Sequence, residues 1–114
     1  MVPQSNNVVL ESTDHDERRR DQRYKLRAPG LIADVKGAHE CIVADISVGG
    51  AMIEGEFPFE KGAEIAIAFD SMVGIFGEVV FLGENGVGIK FTGPPDQRLI
   101  VLDWVSARLK ASRR

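Results

Sequence analysis

Apolar and polar residues alternate in six short runs between Tyr24 and Thr92. The clearest run places Ile65, Ile67 and Phe69 on one side and polar or small residues on the other. A period of two residues is typical of a strand with one buried face. The predicted strands cover about 31–35, 39–47, 51–54, 64–70, 74–82 and 87–92. Short strands at intervals of about ten residues predict an antiparallel barrel or sandwich.

Glycine residues favour the barrel over the sandwich. They fall at or inside the runs, where a bend or a close approach of two backbones leaves no room for a side chain. These positions are Gly49, Gly50, Gly74, Gly77 and Gly88. Between the last two runs, Glu84-Asn85-Gly86 predicts a tight hairpin in which both Asn85 and Gly86 take positive φ.

The spacing of apolar residues becomes helical after Gly93-Pro94-Pro95. We therefore expect a helix over about 95–110 that packs on one opening of the barrel, with the acidic Asp96 near its start as the helix dipole favours. The residues that carry the helical spacing are Leu99, Leu102, Val105 and Leu109, with Ile100, Val101 and Trp104 nearby. The predicted fold class is all-β with a C-terminal helix, namely a six-stranded antiparallel β-barrel capped by one α-helix.

Length and composition favour one small cytoplasmic domain. The chain has 114 residues, and no apolar stretch approaches the roughly 20 residues of a membrane span. Its start lacks the basic and then apolar pattern of a secretory signal. Cys41 is the only cysteine, which excludes an internal disulfide and suits a reducing compartment. We expect no membrane insertion, and a monomer or weak homodimer.

Charge is distributed unevenly along the chain. The total is −3, but residues 1–17 carry −4, residues 18–27 carry +5, residues 28–97 carry −8 and residues 98–114 carry +4. Five arginines clustered on an acidic protein indicate a small anionic ligand and argue against general nucleic-acid binding. The acidic start, 1–17, predicts a flexible tail.

Catalytic and metal sites are not indicated. Ser47 lies in Asp45-Ile46-Ser47-Val48-Gly49, which lacks the first glycine of a nucleophile elbow. His39, Glu40 and Cys41 are adjacent on a predicted strand, where neighbours point to opposite faces, so they cannot all bind one metal. We predict no enzyme activity, no metal and no bound cofactor.

Two short motifs remain. Arg19 and Arg23 form Arg-x-x-x-Arg just before the barrel, and Asp45, Ser47 and Gly50 form Asp-x-Ser-x-x-Gly between the second and third strands. Taken alone, the first is most often a solvated basic stretch and the second an Asx or Ser turn. Their order and separation around a six-stranded pattern are more specific.

Together these motifs resemble the PilZ domain family, bacterial receptors for the second messenger cyclic di-GMP. The resemblance covers about residues 17–110 and assigns residues 18–110 to one PilZ domain, followed by a short basic tail at 111–114. Within the domain it implies an arginine lead-in at 18–23, a barrel over about 24–92 and the helix already described. No signature position departs from the family pattern, so the resemblance implies ligand binding.

The ligand's chemistry suits these side chains. A guanidinium presents a planar fork of donors that matches phosphate oxygens and the O6 and N7 atoms of guanine, and it can also stack on a base. The Asp45 carboxylate can accept from guanine N1–H and N2–H, while Ser47 can donate to the ligand or hold the turn. The resemblance implies a cyclic di-GMP site formed by Arg18, Arg19, Arg20, Arg23, Asp45, Ser47, Gly49 and Gly50. An arginine just before the first motif arginine resembles the pattern of family members that bind two ligands per chain, and Arg18 occupies this position. The resemblance therefore implies one or two molecules of cyclic di-GMP per chain.

The resemblance also implies a signalling mechanism. Ligand phosphates would neutralise the repulsion among the arginines and order the lead-in across the barrel, and a downstream protein would read the new surface. Motility or biofilm regulation is compatible with this role. The alternative is a PilZ-like protein–protein interaction module that does not use the nucleotide.

Overall fold

The alternating runs form antiparallel strands in a computed structural model of the chain, which describes residues 11–12, 23–70 and 72–112. Most of the predicted tails and of the arginine lead-in lie outside these residues, but residues 11–12 of the acidic tail form a short strand and residues 111–112 of the basic tail end the helix. The described strands and helix are β1 (Glu11–Ser12), β2 (Tyr24–Asp34), β3 (Gly37–Ser47), β4 (Gly50–Glu54), β5 (Glu64–Phe69), β6 (Met72–Leu82), β7 (Gly86–Phe91) and α1 (Pro95–Ser112).

Strands β2 to β7 close into a barrel. Their hydrogen-bonded order is β2-β3-β4-β7-β6-β5, and β5 pairs back onto β2, with Ile32 opposite Ile67. All of these pairings are antiparallel. The two-residue β1 pairs with the start of β2, where Ser12 lies opposite Tyr24. The predicted six-stranded barrel with one C-terminal helix is therefore confirmed.

Alternate residues of every barrel strand fill the core. Ile32, Val43, Ile53 and Val79 are fully buried and belong to one apolar cluster. A side chain at Gly77 would meet the Ile89 side chain at 2.6 Å, so this position needs glycine, as the sequence predicted. The core holds the strands in a fixed register, and this register positions the residues of the candidate site.

The hairpin between β6 and β7 forms, but its predicted conformation is wrong. Neither Asn85 nor Gly86 has positive φ among the described residues. Leu82 pairs with Val87, and Gly83 N–H donates to the Gly86 carbonyl at 2.9 Å. Four residues thus connect the pair, and loops of this length are most often built around a type I turn, which needs no positive φ at its central residues.

Helix α1 packs on the barrel through a different face from the predicted one. Val105 is buried as expected, but Leu99 and Leu102 are exposed, which corrects their placement on the packing side. The face that packs on the barrel carries Gln97, Val101, Trp104 and Val105, all of them buried. Within the described residues, no helix combines the length and apolar character that crossing a membrane requires.

Two polar contacts fix the rotation of α1. Gln97 donates to the Phe76 carbonyl and accepts from the Phe76 N–H, both at 2.8 Å, as a neighbouring strand would. Further along, Trp104 Nε1 donates to the buried Asp70 carboxylate at 2.8 Å, and Arg108 forms an ion pair with the same oxygen. These directional bonds outweigh the small difference in hydrophobicity between the two helix faces.

Burial raises the pKa of the Cys41 thiol to about 11. The thiolate fraction at pH 8 is then roughly one in a thousand, so the folded protein should react with iodoacetamide at least about a hundredfold more slowly than the urea-unfolded chain. Raising the pH towards 11 should speed the reaction of the folded form. Intact mass measured over time tests this expectation, and rapid modification of the native protein at pH 8 would contradict it.

Candidate nucleotide-binding site

The register of β2 and β3 brings the two sequence motifs together. Tyr24 lies opposite Ile46 and Lys25 lies opposite Asp45, so the residue before β2 faces the end of β3. Arg23 Nη1 donates to Asp45 Oδ1 at 2.8 Å, although the two residues are 22 positions apart in the sequence. The Arg23 side chain is 53% exposed and that of Asp45 is 24% exposed. A charged, solvent-accessible pair therefore lies on the outer surface of the barrel.

Two bulges surround Asp45. The register of β2 against β3 shifts between Lys25 and Ala28, and that of β3 against β4 shifts between Val43 and Asp45. A bulge bends a strand and redirects the side chains beside it. These bulges leave Asp45 on the same face as Lys25 and Met52, its neighbours on either side, because directly opposed residues share a face of the sheet.

The Ser47 hydroxyl holds the turn between β3 and β4. Its Oγ accepts from the N–H groups of Gly49 at 3.3 Å and Gly50 at 3.1 Å, and it donates to the Gly50 carbonyl at 3.4 Å. Ser47 is also buried. Of the two roles considered from the sequence, the described geometry favours stabilisation of the turn.

Gly50 allows β4 to approach β7 closely. A Cβ atom at this position would collide with the carbonyl oxygen of Ile89, which is a backbone atom of the opposing strand. We expect Gly50→Ala to destabilise the fold by about 1–3 kcal/mol, because the ladder must open to admit the methyl group. Thermal or urea unfolding measures the loss.

Gly86 provides the matched control for Gly50. It lies at the other end of the same ladder, opposite Glu54, and a Cβ atom there would be 3.1 Å from the Ile53 carbonyl. A shift of a few tenths of an ångström accommodates that contact, so Gly86→Ala should cost clearly less. Equal losses in the two variants would show that crowding at Gly50 is not special.

Gly49 connects the turn to the helix. Its carbonyl accepts from the Phe91 N–H at 2.8 Å, at the end of β7. Val48 and Gly49 also line a cavity of about 90 Å³ together with Pro95 and Arg98 from the first turn of α1. The turn of the candidate site and the first turn of α1 therefore line the same cavity.

The described residues contain five of the eight predicted site residues. Arg18, Arg19 and Arg20 lie outside the described part of the chain. The remaining five are brought to one corner of the barrel and are Arg23, Asp45, Ser47, Gly49 and Gly50. The sequence motifs missed Lys25, an exposed cation directly opposite Asp45. The basic run contained the signal for Lys25, but only strand register shows which acid it faces.

Comparison with known protein families matches residues 17–106 to the PilZ domain. This match includes all eight predicted site residues. None of the curated proteins compared with the chain matches it.

Several solved structures share the fold. The Bacillus subtilis inhibitor of motility MotI/DgrA aligns with a TM-score of 0.63 at 14% identity, over 86% of this chain and 54% of its own. Borreliella burgdorferi PlzA, in complex with c-di-GMP, aligns with a TM-score of 0.53 at 21% identity, over 83% of this chain and 38% of its own. The MrkH–c-di-GMP complex of K. pneumonia aligns with a TM-score of 0.56 at 18% identity, over 93% of this chain and 66% of its own. The chain thus spans only part of the length of each of these proteins.

Proposed function

The chain belongs to the PilZ domain family, and we propose that it is a cyclic di-GMP receptor that signals to a partner protein. The observation that carries this proposal is the contact between Arg23 and Asp45. It joins the last arginine of the first motif to the first residue of the second. Two neighbours in the fold have c-di-GMP bound, which supports the same ligand here.

In this proposal the site contacts both the phosphates and the guanine bases of cyclic di-GMP. The motif arginines bind the phosphodiester oxygens and the O6 and N7 edge of guanine through paired donors. Asp45 accepts from guanine N1–H and N2–H, an edge that adenine does not present. Lys25 adds a second cation beside Asp45, and this charge favours the anionic ligand.

Arg18, Arg19 and Arg20 complete the proposed site. In this proposal they contact phosphate or stack on a purine, and Arg18 supports two intercalated ligands per chain instead of one. Ser47 acts indirectly, since its hydroxyl holds Gly49 and Gly50 in the turn that the base approaches.

The proposed signal is a rearrangement of the lead-in at 18–23. Ligand phosphates cancel the repulsion among its arginines, and charge-assisted hydrogen bonds of about 1.5–3 kcal/mol each offset the entropy of ordering. The partner then reads the altered surface. MotI/DgrA is an inhibitor of motility, which supports motility control as one possible output. We expect the receptor to act in the cytoplasm and without enzyme activity of its own.

Thermal shift with four ligands tests this function. Cyclic di-GMP should stabilise the protein, by about 2.7 kcal/mol at a concentration a hundredfold above its Kd, whereas GTP, cyclic GMP and single-stranded DNA should not. Calorimetry gives the stoichiometry, and the affinity should fall as salt is added because phosphate pairing is screened. Absence of binding would refute the receptor proposal and leave the interaction module as the better account.

A further inference from the structure

Helix α1 has a second apolar face that the barrel does not cover. Leu99 and Ile100 are 61% and 51% exposed. Asp96 and Asp103 are exposed as well. These four positions are spaced i, i+3, i+4 and i+7, so they lie side by side on one face of the helix. Two carboxylates, one heptad apart, thus bracket two large apolar side chains.

Strand β6 carries a further exposed apolar residue near the start of α1. The double hydrogen bond between Gln97 and the Phe76 backbone holds β6 against the first turn of α1, and the Phe76 side chain is 54% exposed. Phe76 lines a groove of about 310 Å³ with Pro94, Ile65 and the acidic Glu64. Asp96, Leu99, Ile100 and Asp103 are called the acidic-apolar face below.

We propose that the acidic-apolar face binds a basic amphipathic segment of the downstream protein. The exposed Leu99 and Ile100 side chains offer apolar area to the anchors of an amphipathic helix. The carboxylates of Asp96 and Asp103 pair with lysines or arginines that flank those anchors. This inference rests on the proposed function for its signalling role, but the surface itself stands on the geometry of α1.

Charge favours a basic protein segment over a second copy of the chain or an anionic membrane as the occupant of this face. A second copy bound through the same patch in a symmetric dimer would bring Asp96 and Asp103 of both chains together, and like charges in an interface are costly. An anionic membrane that approached this face would be repelled by the same two carboxylates. A cationic protein segment satisfies both the charge and the apolar area.

The face is also connected to the candidate site. The Gly49 carbonyl accepts from Phe91 N–H at the end of β7, and α1 begins four residues later at Pro95. Gly49 and the first turn of α1 line the same cavity of about 90 Å³. The turn at Val48 and Gly49 therefore lies beside the start of the helix that carries the face.

A labelled amphipathic peptide tests the face. The probe is a peptide of leucine and lysine of about 15 residues, long enough to form a helix on the surface, and its binding to the full-length chain is followed by fluorescence anisotropy. Leu99→Ser combined with Ile100→Ser should weaken binding at least about tenfold. Asp96→Asn combined with Asp103→Asn should weaken it about fivefold and reduce its dependence on salt.

Matched control variants remove one apolar and one acidic side chain at exposed positions outside the acidic-apolar face. Val35 is 99% exposed in a turn, and Glu84 is exposed in the β6–β7 loop. Val35→Ser and Glu84→Gln should bind the peptide like the wild type, and unchanged melting curves show that all variants fold. A scrambled peptide of the same composition and a leucine–glutamate peptide should bind at least about tenfold more weakly than the probe.

Several results would overturn the inference. Equal losses in the face variants and the controls, or equal binding of the scrambled peptide, would show that binding is not specific to the face. A dimer that dissociates in the Leu99→Ser and Ile100→Ser variant would assign the face to self-association, and loss of binding to phosphatidylglycerol vesicles in that variant would assign it to lipid. Face-dependent peptide binding by a protein that does not bind cyclic di-GMP would refute the proposed function alone.

Discussion

Arg23→Ala should lower the affinity for cyclic di-GMP more than about a hundredfold while leaving the melting curve nearly unchanged. Two charge-assisted hydrogen bonds of about 1.5–3 kcal/mol each account for the loss of affinity. The cost in stability is small, because the Arg23–Asp45 pair is partly exposed and such surface pairs contribute about 0–1 kcal/mol. Arg19→Ala should behave in the same way. Isothermal calorimetry and thermal unfolding of each variant give the two quantities.

Arg27 supplies the matched control for Arg23. It lies on β2, four residues after Arg23, its side chain is exposed, and its guanidinium pairs with Glu54 at 3.0 Å. Arg27→Ala removes the same charge and a similar ion pair, but no motif residue. Its affinity for cyclic di-GMP should stay within about threefold of the wild type. Equal losses in the two variants would mean that the general positive charge of the segment, and not Arg23 itself, attracts the ligand.

The barrel class and the position of the motif residues at the end of β3 could be predicted from the sequence, since both depend on local signals. Alternation located six strands, but it missed residues 24–30, which are most of β2. There the inward positions are Leu26, Ala28 and Gly30, and two small residues hide the period of two that Ile32 makes visible. The motif spacing correctly placed Asp45 near the end of β3, because a strand has a nearly constant rise per residue.

The rotation of α1 could not be predicted, because it depends on contacts distant in sequence. Both faces of the helix carry large apolar residues, so periodicity alone selected Leu99 and Leu102. The actual face is chosen by partners on β6 and at the end of β5, namely the Phe76 backbone and the Asp70 carboxylate. No residue near Gln97 or Trp104 in the sequence indicates that Phe76 and Asp70 are their partners. The same long-range contacts leave Leu99 exposed and create the acidic-apolar face.

Asp70→Ala should cost about 3–5 kcal/mol, a large share of the stability of a small domain. The carboxylate is 6% exposed and accepts from Trp104 Nε1 and from Arg108, whose guanidinium also lies 5.5 Å from the centre of the indole ring. Alanine removes the acceptor of the buried Trp104 N–H and the carboxylate that faces the Arg108 guanidinium. Alanine also tolerates the positive φ of Asp70, 50°, less well than aspartate or asparagine.

Two variants separate these causes. Asp70→Asn keeps an acceptor for Trp104 and tolerates positive φ but loses the charge facing Arg108, so it should cost only about 1–2 kcal/mol. Asp45→Ala removes the same group from a partly exposed ion pair and should cost less than about 1 kcal/mol. Urea unfolding gives the three free energies, and the fluorescence of Trp104, the only tryptophan, should shift to the red if α1 detaches in Asp70→Ala. If Asp70→Ala is no less stable than Asp45→Ala, the Asp70 contacts do not hold the helix, and the orientation of its outer face must have another origin.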